Sequence, residues 1–279
     1  MKIVGVIPAR YGSGRFEGKP LADLLGKPMV WWVYQQAVKV QELDEVYVAT
    51  DDERIKDVCN KYNMNVIMTS TSHPTGTDRV CEVANTVKAD LYVVIMGDEP
   101  LIQSEHISLI TREMAKNAKY DAAMLTKKYS NPVDVVNPTT IKLVLNNNNE
   151  LIYMSRLPIP FPKASINYDY FKNIGVYVFT YETLKFYEKT PVGKLEGIED
   201  MEMMRMLENH KLVKVIEVDS DSFSVDTQKD LQRVQDALKP LLLYKLAASP
   251  GRTFTKQQLM DEVWNIFHIL LLNFTHTGC

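Results

Sequence analysis

Residues 4–28 read VGVIPARYGSGRFEGKPLADLLGKP, and the fold follows from how this stretch is parsed. The apolar, β-branched run Ile3 to Ile7 is what a strand needs when both faces of a parallel sheet are covered. Next comes a strand-to-helix loop that carries Arg10, Arg15 and Lys19 among Gly12, Gly14 and Gly18, with Ser13 as an added hydroxyl. Glycines let backbone N–H groups come close to a ligand, and cations clustered beside them favour an anion with several oxygens. The loop therefore reads as a cradle for a phosphate chain, with a solvated basic loop as the plain alternative. Two standard nucleotide motifs do not fit it. The glycines follow G-x-G-x-x-x-G, one residue off the dinucleotide fingerprint, and Lys19 is followed by Pro20 rather than by Ser or Thr.

Composition narrows the field. With 279 residues, 46% of them hydrophobic, the chain can bury a sizeable core in one large α/β domain or two smaller ones. A formal charge of -3 argues against a general nucleic-acid binder, so local basic clusters must do any anion binding. Cys59, Cys81 and Cys279 form no metal spacing and no disulfide framework; they read as two core thiols and a terminal residue in a reducing compartment. Met1 and Lys2 lead straight into a strand and no apolar run of about twenty residues exists, so the expectation is a cytoplasmic protein without a signal peptide or membrane span.

Strand and helix patterns alternate along the chain. A helix over 28–40 is expected to use Trp31 and Trp32 for packing, a strand covers Glu45 to Thr50, and a helix runs through Tyr62 after Asp51 and Asp52, which read as caps or as site residues. This alternation predicts a doubly wound, mostly parallel sheet with ligands at the strand carboxyl ends. A short strand from Val66 ends in a hydroxyl-rich loop, His73 to Arg79, before a helix near Asp78. Leu91 to Ile95 is the central strand, stopped by Gly97-Asp98-Glu99-Pro100. Gly97 is expected to let a ligand lie against the backbone. Asp98 would face bound phosphates, a repulsive arrangement unless a hard cation such as Mg2+ lies between; an acidic turn cap is the alternative. Helix 103–118, strand 121–126 and a hairpin with Asn146–Asn149 at its tip follow, then an extended arm with Pro158, Pro160 and Pro162. A strand over 171–179, a helix through Tyr187, one amphipathic Met-rich helix over 195–207, a strand over 212–218 and a helix after Asp226-Thr227 complete the pattern. Asp226 reads either as a cap or as a site carboxylate.

The run IPARYGSGRFEGKPLADLLGKPMV resembles the start of the 3-deoxy-manno-octulosonate (KDO) cytidylyltransferases, the CMP-KDO synthetases. HPTGTDR, GDEP and VDTQKDL resemble further motifs of that family, over residues 1–239. The resemblance implies a Rossmann-like nucleotidyltransferase with a β-hairpin subregion for dimerisation and sugar binding. It implies a Mg2+-dependent reaction of CTP with a sugar acid that releases pyrophosphate, a homodimer, no nucleic-acid or membrane partner, and a role in lipopolysaccharide or capsule assembly. Arg10, Arg15, Lys19 and Asp98 are then catalytic. Ala9, Arg10, Ser13, Arg15, Lys19, His73, Gly76, Arg79 and Gly97 line the nucleotide site, while Arg156, Asn173, Tyr177 and Glu202 line the sugar site. Asp98 and Asp226 hold the metal. Three positions depart from the family's pattern: Met96 and Met203 replace Gln, and Asn173 replaces His. They leave open the same chemistry on another acid, an amino-KDO, nonulosonate or phosphonate; a non-catalytic nucleotide sensor is the reading from outside the enzyme class.

Lys239-Pro240 is expected to end this domain. Residues 241–264 weakly resemble the opening helices of response-regulator winged-helix domains, but no recognition helix follows, so 240–279 reads as an appended tail rather than a DNA-binding module.

Overall fold

A computed structural model of the chain describes residues 1–247 except 13, 166, 220 and 221, together with 253, 255 and 258; for 240–247 it describes the backbone alone. Ser13, expected in the phosphate cradle, lies outside the described residues, as does most of the appended tail.

Strand β1 (Ile3–Ala9) leads through a turn of 3-10 helix (Lys19–Leu21) and a short ribbon, β2 (Asp23–Leu24) with β3 (Lys27–Pro28), into α1 (Met29–Ala37). Then come β4 (Glu45–Thr50), α2 (Glu53–Lys61), β5 (Val66–Met68), α3 (Gly76–Thr86), β6 (Leu91–Ile95), α4 (Ser104–Lys116) and β7 (Ala122–Lys128). A short helix, α5 (Pro132–Val135), precedes the expected hairpin, β8 (Lys142–Leu145) and β9 (Leu151–Ser155). The remaining elements are β10 (Phe171–Thr180), α6 (Tyr181–Lys189), α7 (Lys194–Glu199), α8 (Met203–Glu208), β11 (Val213–Glu217) and α9 (Gln228–Ala247).

The main sheet is ordered β11-β7-β10-β6-β1-β4-β5, with β8 paired to β10 and β9 to β8. β1 pairs in parallel with β4 and β6, β4 with β5, and β11 with β7. Only β10 runs against its neighbours β6 and β7 on that path. The other strands therefore present their carboxyl ends at one edge, where a doubly wound sheet collects its ligands.

Alternation along β1 sorts the core into two layers. Ile3 and Ile7 face a layer built with α1, α2, α4 and α9; Val4 and Val6 face one built with α3, α6 and α8. Trp31 and Trp32 pack edge to face in the first layer at 5.2 Å, and Trp32 Nε1 donates to the Leu24 carbonyl at 2.9 Å. Cys59 and Cys81 are core thiols, and burial pushes each up to about 12, which leaves them unreactive.

The single helix expected over 195–207 is two. Asp200 adopts a left-handed conformation, φ 54°, at the end of α7, and α8 begins three residues later. One left-handed residue reverses the chain without disturbing hydrophobic periodicity, so the pattern conceals the break. Helix α9 continues through Pro240, the expected domain boundary.

Candidate active site

The edge where β1 and β6 end opens into a cleft of about 420 Å³. Lys19 sits in its floor at the start of the 3-10 turn, and Gly18 before it is left-handed at φ 68°, a conformation glycine supplies without strain. Lys19 Nζ lies 2.7 Å from Asp98 Oδ2 and 3.4 Å from Asp226 Oδ1, and Arg15 reaches Asp226 Oδ1 at 3.2 Å. Lys19, Asp98 and Asp226 are mostly withdrawn from solvent, whereas the Arg15 side chain is 62% exposed. Arg10 also lines the cleft, is exposed and makes no ion pair among the described residues. Ala9 and Gly97 complete this wall.

At Gly97 a Cβ would stand 3.0 Å from the Pro8 carbonyl oxygen, so the close approach of strand β1 by itself favours glycine here. A Cβ added at Gly12 or Gly14 would meet nothing within 4 Å.

Two backbone devices set the separation of the carboxylates. Val225 N donates to the Asp98 carbonyl at 2.9 Å, tying the end of β6 to the segment before α9. Beside it, buried Glu99 accepts from Gly175 N at 3.1 Å and from the Ser222 hydroxyl, and burial, reinforced by neighbouring Asp98, raises its carboxyl to about 7. The helix cap after Asp226 is supplied by Thr227 and Asp230. Thr227 Oγ1 donates to Asp230 Oδ2 at 2.7 Å, and Asp230 N donates back to Thr227 Oγ1 at 3.3 Å. Asp226 is thereby left to the cleft.

On the opposite side, His73 lines the cleft and bonds to Glu82, while Thr75 caps α3. The first amides of α3 are already satisfied: Gly76 N and Thr77 N each donate to Glu202 at 3.1 Å, and Thr77 Oγ1 donates to the same carboxylate. Burial raises Glu202 above the usual carboxylate range. Arg79 lines the cleft only as a brace, 2% exposed and bound to Asp51 at 2.8 Å and to Thr69. Of the two aspartates after β4, Asp52 is the helix cap and Asp51 holds Arg79.

Tyr177 and Glu202 reach a second cavity contiguous with the cleft, and Asn173 Nδ2 donates to the Tyr177 hydroxyl at 2.7 Å. Arg156 is not in either wall. It is tied to the α7–α8 turn by the Glu199 carbonyl at 3.2 Å and by Asp200 Oδ2 at 3.8 Å. Val192, Glu196, Gly197, Asp200 and Met201 line the cleft without having been singled out in the sequence, because the break that turns α7 toward it carries no motif. Glu196 brings no net charge, since Arg205 meets it at 2.6 and 2.7 Å with both side chains buried.

The donor set bears on the metal. Asp98 and Asp226 are hard oxygen ligands brought from distant parts of the chain to one ammonium, and no group of three or more His, Cys, Asp or Glu suited to a metal exists among the described residues. Two carboxylates that need phosphate oxygens to complete the shell fit Mg2+, which binds in that manner in phosphoryl-transfer sites.

A parallel-sheet edge that gathers three cations and two carboxylates in a polar cleft has the build of a nucleotidyltransferase. The family model for cytidylyltransferases matches residues 4–216. A 3-deoxy-manno-octulosonate cytidylyltransferase from Fusobacterium nucleatum is 40% identical over 86% of this chain and 98% of its own length. An 8-amino-3,8-dideoxy-manno-octulosonate cytidylyltransferase from Shewanella sp. (strain W3-18-1) is 37% identical over 85% and 99%. Among solved structures, a CMP:2-keto-3-deoxy-manno-octonic acid synthetase complexed with CTP aligns with a TM-score of 0.82 at 35% identity, covering 86% of this chain and 99% of that one. The chain belongs to the 3-deoxy-manno-octulosonate cytidylyltransferase family.

Proposed function

We propose that the chain transfers the cytidylyl group of CTP to a 3-deoxy sugar acid of the octulosonate type and releases pyrophosphate. The observation that carries this reading is the meeting of Arg10, Arg15 and Lys19 with Asp98 and Asp226 in one cleft. A hydroxyl oxygen of the acid bonds to the α-phosphorus, the bond from that phosphorus to the bridging β-oxygen breaks, and the hydroxyl proton is lost. Arg10, which makes no ion pair among the described residues, would hold the triphosphate, while Arg15 and Lys19 exchange carboxylate partners for phosphate oxygens as the nucleotide enters. Fixed cations of this kind act by positioning and by offsetting charge on the leaving group, with no covalent nucleophile required. Asp98 and Asp226 would hold Mg2+, which when bound neutralises phosphate charge and orients the oxygens around phosphorus.

A homodimer is part of the proposal. Ile152 on the hairpin and Leu157 and Phe161 on the arm after it are 54%, 70% and 83% exposed, an apolar surface suited to a second copy. The two buried thiols accord with a cytoplasmic location, and an activated sugar acid accords with lipopolysaccharide or capsule assembly. No helix among the described residues is long and apolar enough to cross a membrane.

Pyrophosphate release from CTP with KDO and with its 8-amino counterpart tests the reading, and the Shewanella relative is the reason for the second acid. Asp98→Asn and Asp226→Asn are each expected to lower turnover by about 10²-fold or more. Unchanged turnover in both variants would remove the assigned site. CTP binding without turnover on any acid would instead favour a nucleotide sensor.

A further inference from the structure

The loop that carries the cations has a second side. Arg10, Arg15 and Lys19 line the cleft, whereas Tyr11, Phe16 and Gly18, each next to one of them in sequence, line a hollow of about 480 Å³ that shares no residue with it. Arg54, from the first turn of α2, lines the same hollow. None of these four residues lines the cleft, so whatever they do to a bound triphosphate passes through the backbone of their neighbours.

Tyr11 is the residue on which the others meet. The Arg54 guanidinium lies over its ring, 3.3 Å from the centroid. Gly18 packs against the same side chain: a Cβ there would stand 3.1 Å from the Tyr11 Cζ and hydroxyl oxygen, and Gly18 N donates to the Tyr11 carbonyl at 2.8 Å. That bond closes the loop, so Tyr11 and Gly18 are its two ends and Arg10 and Lys19 stand just outside them. Among the described residues between the ends, only Phe16 is buried. Arg54 is itself fixed. Its Nε and Nη2 donate to the two oxygens of Asp52 at 2.9 and 2.7 Å, and Asp52 caps α2 just after β4.

This arrangement sets geometry more than it adds stability. The Arg54 side chain is 58% exposed, and an exposed ion pair contributes little to global stability. A guanidinium can nonetheless stack flat on a ring while gripping a carboxylate with two N–H groups, which an ammonium cannot do. The stack thus fixes where the Tyr11–Gly18 closure stands relative to the β4–α2 junction, and with it the chain at Arg10 and Lys19. Groups that act by position lose much of their effect when displaced by about 1 Å.

Resting on the function proposed above, we infer that Arg54 and Tyr11 are positioning residues, whose stack holds Arg10 and Lys19 at the spacing that the triphosphate of CTP requires. The test is calorimetric titration with CTP, Mg2+ present and no acid, on the parent, Arg54→Ala, Tyr11→Leu and the double variant, with a urea midpoint for each. Arg54→Ala is expected to weaken CTP binding about tenfold while its midpoint stays at the parent's. The double variant should bind no more weakly than Tyr11→Leu alone, because both changes remove one device. Tyr11→Phe keeps the ring and should keep parental affinity, whereas Arg54→Lys should bind as weakly as Arg54→Ala. Unchanged affinity in Arg54→Ala, additive losses in the double variant, or full rescue by lysine overturns the inference and leaves the proposed function standing. Absence of CTP binding by the parent overturns both. Should Tyr11→Leu fail to fold, Arg54→Ala against Arg54→Lys still decides.

Discussion

The ammonium of Lys19 is bonded to the Asp98 carboxylate at 2.7 Å across 79 residues of sequence. The pair joins the first loop of the chain to the end of its central strand, and Asp226 completes the charge cluster from the far end. Without nucleotide, one lysine thus shields two carboxylates that would otherwise repel each other.

Lys19→Met should therefore act twice. It removes a phosphate ligand, lowering kcat/KM for CTP by about 10²-fold or more. It also leaves Asp98 and Asp226 facing each other without a cation, so the nucleotide-free variant should bind Mg2+ more tightly than the parent. Calorimetric titration with Mg2+ alone checks the second effect, and equal affinities would show that Lys19 does not shield the pair.

The Glu99–Ser222 bond holds the segment that delivers Asp226. Ser222→Ala should slacken that segment, with kcat falling on the order of tenfold and the KM for CTP nearly unchanged, because small misplacements are costly at a reacting centre. Ser222→Thr, which keeps the hydroxyl, should recover most of kcat. A loss confined to KM would place the bond outside the positioning of Asp226.

Arg205 and Glu196 form a buried pair, and the guanidinium also donates to the Tyr187 and Thr190 carbonyls at 3.2 and 3.1 Å. Arg205→Met should cost about 3–5 kcal/mol, since it strands a buried carboxylate. Urea unfolding measures this directly. A double change, Arg205→Met with Glu196→Gln, should regain part of the loss.

His106 carries the pH prediction. Its ring is buried, and burial holds it below the usual imidazole range against the opposing pull of Asp219. The unfolded chain takes up a proton near the ordinary imidazole value while the folded chain does not, so stability from this group falls as pH drops below about 6.5 and is flat above it. His106→Gln should show a shallower acid slope. Urea midpoints for both proteins from pH 8 to pH 5 give the comparison, and parallel curves would refute it.

Much of this architecture can be read from residue patterns. Strands such as Glu45–Thr50 and Leu91–Ile95 lie where apolar, β-branched runs put them, since burial on two faces demands such runs. The charged loop, the Gly-Asp-Glu-Pro stop and the late Asp226 were each visible as local motifs. Their alternatives were harder to settle. Asp226 and Thr227 are both good cap formers, and only the Thr227–Asp230 exchange shows which residue caps α9. The break at Asp200 was invisible because one left-handed residue leaves periodicity intact.

By itself, the sequence determined the alternation of strands and helices, the cationic loop after the first strand and the acidic groups that answer it, because these depend on side-chain chemistry and short-range spacing. Only the tertiary structure decided that β10 enters the sheet against its neighbours, that Pro8 of β1 crowds Gly97, and that Met96, Met203 and Tyr177 meet at one cavity. Those outcomes depend on which distant segments pack together, and long-range packing leaves no periodic trace in the chain.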